Sequence, residues 1–252
     1  MPSWRPRRRQ RRRTSPWRRW PRSKAPGNRS LHRRGNPPTP SARALDPRSV
    51  NPFPIYDREI ARLRSHLRTL GSRQWSTRSH CRGWSVRDVV AHLSTDEVYN
   101  QAGRGLNGWN ARGVRVRRAM SPLEVLQEWE ARQALVRWAW GKIGVEGTIE
   151  TSVGRYPLRL QVWHLAREYA IHADDLEVPM PPRERAAQLR WRIAFGLFAA
   201  REENEPVDAD LHGDEVQLRQ DGVVHRLELE TFIAYLTNRP QQLKDAKQRA
   251  LV

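Results

Sequence analysis

From about Asn51 onward the apolar residues recur with helical periods, and only near the C-terminus does the period change to two. Ile60, Leu63, Leu67 and Leu70 stand 3, 4 and 3 residues apart, which predicts an amphipathic helix over about 55–70. The segment Trp84-Ser-Val-Arg-Asp-Val89 reads as a helix start. Ser85 can cap, Asp88 stands at the reciprocal capping-box position, and Trp84 and Val89 take the two places of a hydrophobic staple. That helix is predicted to run through His92 and Leu93 to about Ala102. A third starts at Ser121-Pro-Leu-Glu124 and carries the stripe Leu126, Trp129, Val136, Trp140 and Ile143. A fourth spans about 157–176. Its stripe is Leu158, Val162, Leu165, Tyr169, His172 and Leu176, halted by Pro179, Pro181 and Pro182.

A fifth helix, about 183–203, is apolar on most sides. Val216-Gln-Leu218 and Val223-Val-His-Arg-Leu227 then alternate on either side of Asp221-Gly222, the signature of a β-hairpin. A short last helix is expected over about 228–238, ending at Asn238-Arg239-Pro240. The inventory is mainly α: a four-helix bundle with an added helix over 51–205, and a small C-terminal β-hairpin/helix appendage over 206–252.

Composition changes the picture at one end only. The 252 residues carry a formal net charge of +19, yet residues 1–50 hold 16 of the 46 Lys+Arg and one of the 27 acidic residues, Asp46. The body is therefore close to neutral, and the basic character belongs to the tail. Nine of the 18 prolines also fall there, without any apolar period, so residues 1–50 are expected to be a disordered Arg/Pro-rich tail that is dispensable for folding. Arginines interspersed with Trp4, Trp17 and Trp20 could grip phosphates and stack on bases, which confines any nucleic-acid role to the tail. A non-functional extension is the other reading. One cysteine, Cys81, excludes an intrachain disulfide and a Cys-rich zinc module. No apolar run approaches the ~18 residues of a membrane span, and the tail lacks the apolar stretch of a secretory signal. A cytoplasmic protein without membrane contact is expected.

The chemistry points to three residues. His172 lies on the apolar stripe of the fourth helix, and Glu168 sits one turn earlier at the edge of the same stripe. A carboxylate facing a core is costly unless it is paired or bound to a cation. The pair could hydrogen-bond internally, or Glu168 could meet an arginine, or both could face a metal. His92, at the boundary of the second helix's apolar face, would add a third nitrogen or oxygen donor and leave one position open, as at a catalytic zinc. The residues alone leave these readings balanced. His164, a further histidine one turn before Glu168, could be an alternative ligand, but it lies off the stripe, which favours a rim or exposed role.

The segment Trp75-Ser-Thr-Arg-Ser-His-Cys81-Arg-Gly-Trp84-Ser-Val-Arg-Asp-Val-Val-Ala-His92-Leu resembles the N-terminal signature of the mycothiol-dependent maleylpyruvate isomerase family, in the DinB-like metalloenzyme superfamily. Arg167-Glu168-Tyr-Ala-Ile-His172-Ala-Asp-Asp175-Leu is similar to that family's second metal-ligand segment. The resemblance covers roughly residues 55–176. It implies a DinB-like bundle in which His92, Glu168 and His172 hold a divalent metal, zinc by preference. Asp175 could hydrogen-bond a ligand from behind, or be a plain acid at the helix end. The resemblance also implies a thiol-dependent isomerase or S-transferase. The metal would hold a low-molecular-weight thiol such as mycothiol as thiolate, for addition to an electrophilic small-molecule substrate. Arg239 or Arg82 is the candidate for holding a substrate carboxylate. Leu236-Thr-Asn-Arg239 resembles a leucine-threonine-glycine-arginine segment of the family, with Asn238 in the glycine's place, while the family's larger C-terminal domain is expected to be shortened here. Cys81 is expected to be structural, in a loop with Gly83 and Trp84. Two other functions stay open: a nucleic-acid-associated protein acting through the tail, and a metal-binding bundle without catalysis.

Overall fold

The computed structural model describes residues 45–95, 106–151, 154–205, 207–220 and 222–237. The bundle is built from α1 (Phe53–Thr69), α2 (Val86–Leu93), α4 (Pro122–Ile143) and α5 (Leu158–Asp175), with α3 (Leu106–Arg117) lying against α2 and α6 (Pro182–Glu202) against α5. Tyr56, Leu63, Val89, Val90, Leu93, Trp129, Val162, Trp163 and Tyr169 are fully enclosed and form the centre of its core. Tyr56 fills the space between α1, α4 and α5. Its hydroxyl donates to Gln133 Oε1 at 2.8 Å, and its ring meets the edge of Tyr169 at 5.7 Å between centroids. The buried Glu59 carboxylate is matched by Arg62 at 2.6 Å and by Gln188 of α6, so its charge is compensated where it is enclosed.

The expected capping box forms, and a second one starts α4. Ser85 accepts from the Asp88 N–H and Asp88 accepts from Ser85 N, while Ser121 and Glu124 do the same for α4. Helix α2, however, ends at Leu93 and not near Ala102, with Ser94 as its C-cap; residues 96–105 lie outside the described residues. Helix α3 is an element that periodicity does not reveal, because Gly108, Gly113 and two asparagines depress its helical propensity. Gly113 has a packing reason: a Cβ there would collide with the Thr95 side chain just beyond α2. Buried Arg117 then ties three helices together. It donates to Gly113 O and Ser94 O, and it grips Glu128 of α4 through two bonds of 2.7 and 2.8 Å. That guanidinium, outweighing burial, holds the Glu128 carboxyl below its usual range.

Two antiparallel units flank the bundle. A ribbon of β1 (Thr148–Thr151) and β2 (Gly154–Pro157) leads into α5. The C-terminal appendage is one strand richer than expected. It has β3 (Ala209–His212), β4 (Glu215–Gln220) and β5 (Val223–Glu228) in the order β3-β4-β5, followed by α7 (Leu229–Leu236). Val216, Leu218, Phe232 and Ile233 join Leu189 and Ile193 of α6 in a second core. Among the described residues no helix is long and apolar enough to cross a membrane.

The tail boundary drawn at residue 50 cuts through a docked stretch. Leu45 and Val50 pack against the core, Pro47 is buried, and the guanidinium of Arg48 lies 5.4 Å from the Phe198 ring centroid. Pro47 O accepts from the indole N–H of fully buried Trp163 at 3.1 Å. Deleting residues 1–50 would strip Trp163 of that partner, and a buried donor left unsatisfied costs about 1–3 kcal/mol. A chain starting at residue 51 should therefore melt several degrees lower than one starting at 45, and the latter should match the full chain. Thermal unfolding of the three forms checks this; equal midpoints for the two truncations would show that the Pro47 contact is energetically idle.

Candidate metal centre

The three candidate ligands sit on two helices. His92 is the penultimate residue of α2, and Glu168 and His172 lie one turn apart in the C-terminal half of α5. The structure brings them together. Glu168 Oε1 is 3.1 Å from His92 Nε2 and 3.1 Å from His172 Nε2, and the two rings meet edge to face at 5.0 Å between centroids. Both histidines are buried, whereas the Glu168 side chain is 38 % exposed, so the cluster opens on its carboxylate side.

Electrostatically the cluster asks for a cation. Burial would raise the Glu168 carboxyl, but the His172 charge and hydrogen bond, joined by His92, hold it well below its usual range. Burial likewise disfavours a charged His172, yet Glu168 and the hydrogen bond to Asp175 push its pKa well above the ordinary imidazole value. A carboxylate between two imidazoles is at rest only when positive charge, a proton or a metal, sits among them. His92 Nδ1 is buried with no hydrogen-bond partner among the described residues.

Asp175 is 0 % exposed, and its Oδ2 lies 3.0 Å from His172 Nδ1. That contact puts a proton on Nδ1 and leaves Nε2 pointing at Glu168 and His92. Cys81, expected to be structural with no histidine or acid around it, is surrounded differently. Its Sγ lies 2.9 Å from Asp175 Oδ2 and 3.6 Å from His172 Nδ1. Burial, the largest influence, pushes the Cys81 thiol up, which keeps it a neutral donor. Nothing local in the sequence signals this contact, because 94 residues separate the partners. The Trp84 ring packs against His92 at 5.1 Å between centroids, a contact that the staple reading did not anticipate.

The remaining candidates lie elsewhere. His164 bonds to Glu202 at 3.0 Å and Tyr156 at 3.2 Å and rests on Phe195, outside the cluster. Arg82 is exposed in the loop beside Cys81. Arg239 lies outside the described residues, as do the tail residues expected to meet nucleic acid.

Fold and cluster together define a class: a helical bundle that presents a His/Glu/His donor set where two of its helices meet. Residues 56–177 match the model of the mycothiol maleylpyruvate isomerase N-terminal domain, and this part of the chain belongs to that family. Two solved structures share the fold, both with a TM-score of 0.53. They are the mycothiol-dependent maleylpyruvate isomerase, at 15% identity, and a histidine-to-alanine mutant of it, at 13%. Each likeness covers 77% of this chain and 90% of the other. That coverage leaves little room for a much larger C-terminal domain in those chains, against the expectation that this one is shortened. No curated protein sequence matches significantly.

The loop before α2 depends on Gly83, which has φ +82° with open space where a Cβ would stand. Gly83→Ala should therefore cost about 1–2 kcal/mol through backbone conformation alone. Chemical denaturation checks the value; no loss would mean that the loop re-forms with another turn.

Proposed function

We propose that this protein is a metal-dependent enzyme, with zinc the best-suited ion, which activates a low-molecular-weight thiol for addition to an electrophilic small molecule, in an isomerisation or S-transfer. The observation that carries the reading is the convergence of His92, Glu168 and His172, with ligand atoms within 4.8 Å of one another, in a domain of this family. The donor set fits. Two imidazoles and a carboxylate are the ligand types of catalytic zinc, and neighbouring donors on a tetrahedral ion with bonds of 2.0–2.1 Å stand about 3.3 Å apart, against the 3.1 Å found here. Three protein ligands leave one position for the thiol, and mycothiol is the thiol that the family's name supplies.

When bound, the ion would supply the positive charge that keeps a thiol ionised at neutral pH. The chain's own residues do the rest. Asp175 holds the His172 proton at Nδ1, so that Nε2 is free to coordinate. Glu168 contributes the negative charge that suits a divalent ion, from the side open to solvent. Trp84 covers the His92 ring and keeps water from that face. Arg82, exposed beside the centre's supporting loop, and Arg239 are the candidates for a bidentate hold on a substrate carboxylate.

His172→Ala and His164→Ala give a matched test, since both remove a histidine from α5. Zinc per chain, measured after identical purification, should fall to a small fraction for His172→Ala and stay near the wild-type value for His164→Ala. Calorimetric titration with mycothiol should show binding to the zinc-loaded wild type and none to His172→Ala. The opposite ranking of zinc contents would move the site to another face of α5.

A further inference from the structure

We propose that Cys81 is a positioning residue of this centre: its thiol holds the Asp175 carboxylate against His172 and so sets the direction in which His172 presents Nε2. The inference rests on the metal reading above and extends it to a residue outside the donor set.

The geometry separates this role from nucleophilic catalysis. In a thiol–imidazole–carboxylate relay, sulfur and carboxylate engage opposite nitrogens of the ring. Here Cys81 Sγ and Asp175 Oδ2 both lie on the Nδ1 side, at 3.6 and 3.0 Å, while Nε2 faces Glu168 at 3.1 Å. The sulfur's short contact is to Asp175, at 2.9 Å. A fully buried carboxylate needs donors to hold it in place. Oδ2 receives one from the imidazole and one from the thiol, and both act on its angle. Without the thiol, the carboxylate loses one of the donors that aim it at His172, and the ring loses part of its hold.

The sulfur is itself held. His80 N donates to Asp175 O at 2.9 Å, and His80 Nε2 lies 2.8 Å from Glu177 Oε1, which clamps the loop onto the end of α5. Trp84 N donates to Cys81 O at 3.0 Å, and the Ser79 hydroxyl donates to Trp84 O at 2.9 Å, closing the loop on itself. Because Trp84 packs against His92, this one loop touches both imidazoles, His92 by a ring contact and His172 through Asp175.

The test compares Cys81→Val, which keeps bulk and removes the donor, with Cys81→Ser, which keeps a donor, in the full chain. Zinc affinity is read by competition with a chromophoric chelator, the visible spectrum is read after cobalt substitution, and the thermal midpoint is read without metal. Cys81→Val should bind zinc at least about tenfold more weakly and shift the cobalt bands, while Cys81→Ser should recover most of the affinity. Cys81→Ala replaces the valine variant if that fails to fold. A lowered metal-free midpoint with unchanged affinity would make Cys81 merely structural and overturn the proposal. A sulfur-to-cobalt charge-transfer band, present in wild type and lost in Cys81→Ser, would make Sγ a ligand and overturn it too. Stoichiometric zinc in wild type with equal affinity in the valine variant defeats the positioning role alone; a wild type that binds no zinc removes the metal reading and this proposal with it.

Discussion

One carboxylate oxygen within 3.1 Å of two imidazole nitrogens sets the terms for the rest of this molecule. Glu168 and His172 are adjacent on one helix, but His92 must be delivered from another, and an error of an ångström would separate it from both. Much of the architecture serves that delivery. Helix α2 is only 8 residues long, too short to be stable by itself. It is held at its start by the Ser85–Asp88 box and at its end by Arg117, which donates to Ser94 O. The charge on Arg117 is in turn matched by Glu128 of α4, so the end of α2 is fastened to the longest helix of the bundle.

The arrangement behind the cluster follows from the same demand. A histidine can present only one nitrogen forward if the other is occupied. On His172 that task falls to Asp175, three residues along the same helix, and the acid is enclosed and needs support in turn. On His92 the rear nitrogen has no such partner among the described residues, and orientation comes from the Trp84 ring. The two imidazoles are thus held by different means, a hydrogen-bonded chain on one side and a packed aromatic on the other, drawn from one loop.

Much of this was legible in the sequence, for identifiable reasons. Helices α1, α4 and α5 came within two residues of their ends because an amphipathic period or a strong cap marks them, and α6 because prolines fix its start. The convergence of His92 with Glu168 and His172 was suggested by two segments resembling one family, where periodicity alone left the readings balanced. Helix α3 was invisible because Gly113 answers to the side chain of Thr95 and not to helix propensity. Strand β3 and the β1–β2 ribbon are 4 residues each, below the length at which alternation stands out. The surroundings of Cys81 were missed because its partners are distant in the chain, and the docking of Pro47 because one backbone carbonyl decides it. Contacts of that kind leave no trace in local pattern.

The loop contact between Cys81 and Asp175 closes a span of 94 residues, and the approach of His92 to Glu168 closes 76. Contacts of such separation form only after the entropy of bringing the chain ends together has been met. The nascent chain therefore cannot bring His92, Glu168 and His172 together while α5 is still being synthesised. Under the proposed metal reading an ion would be taken up after that assembly, past the partly exposed Glu168 side chain, and the bundle would first have to stand with a proton in the cation's place.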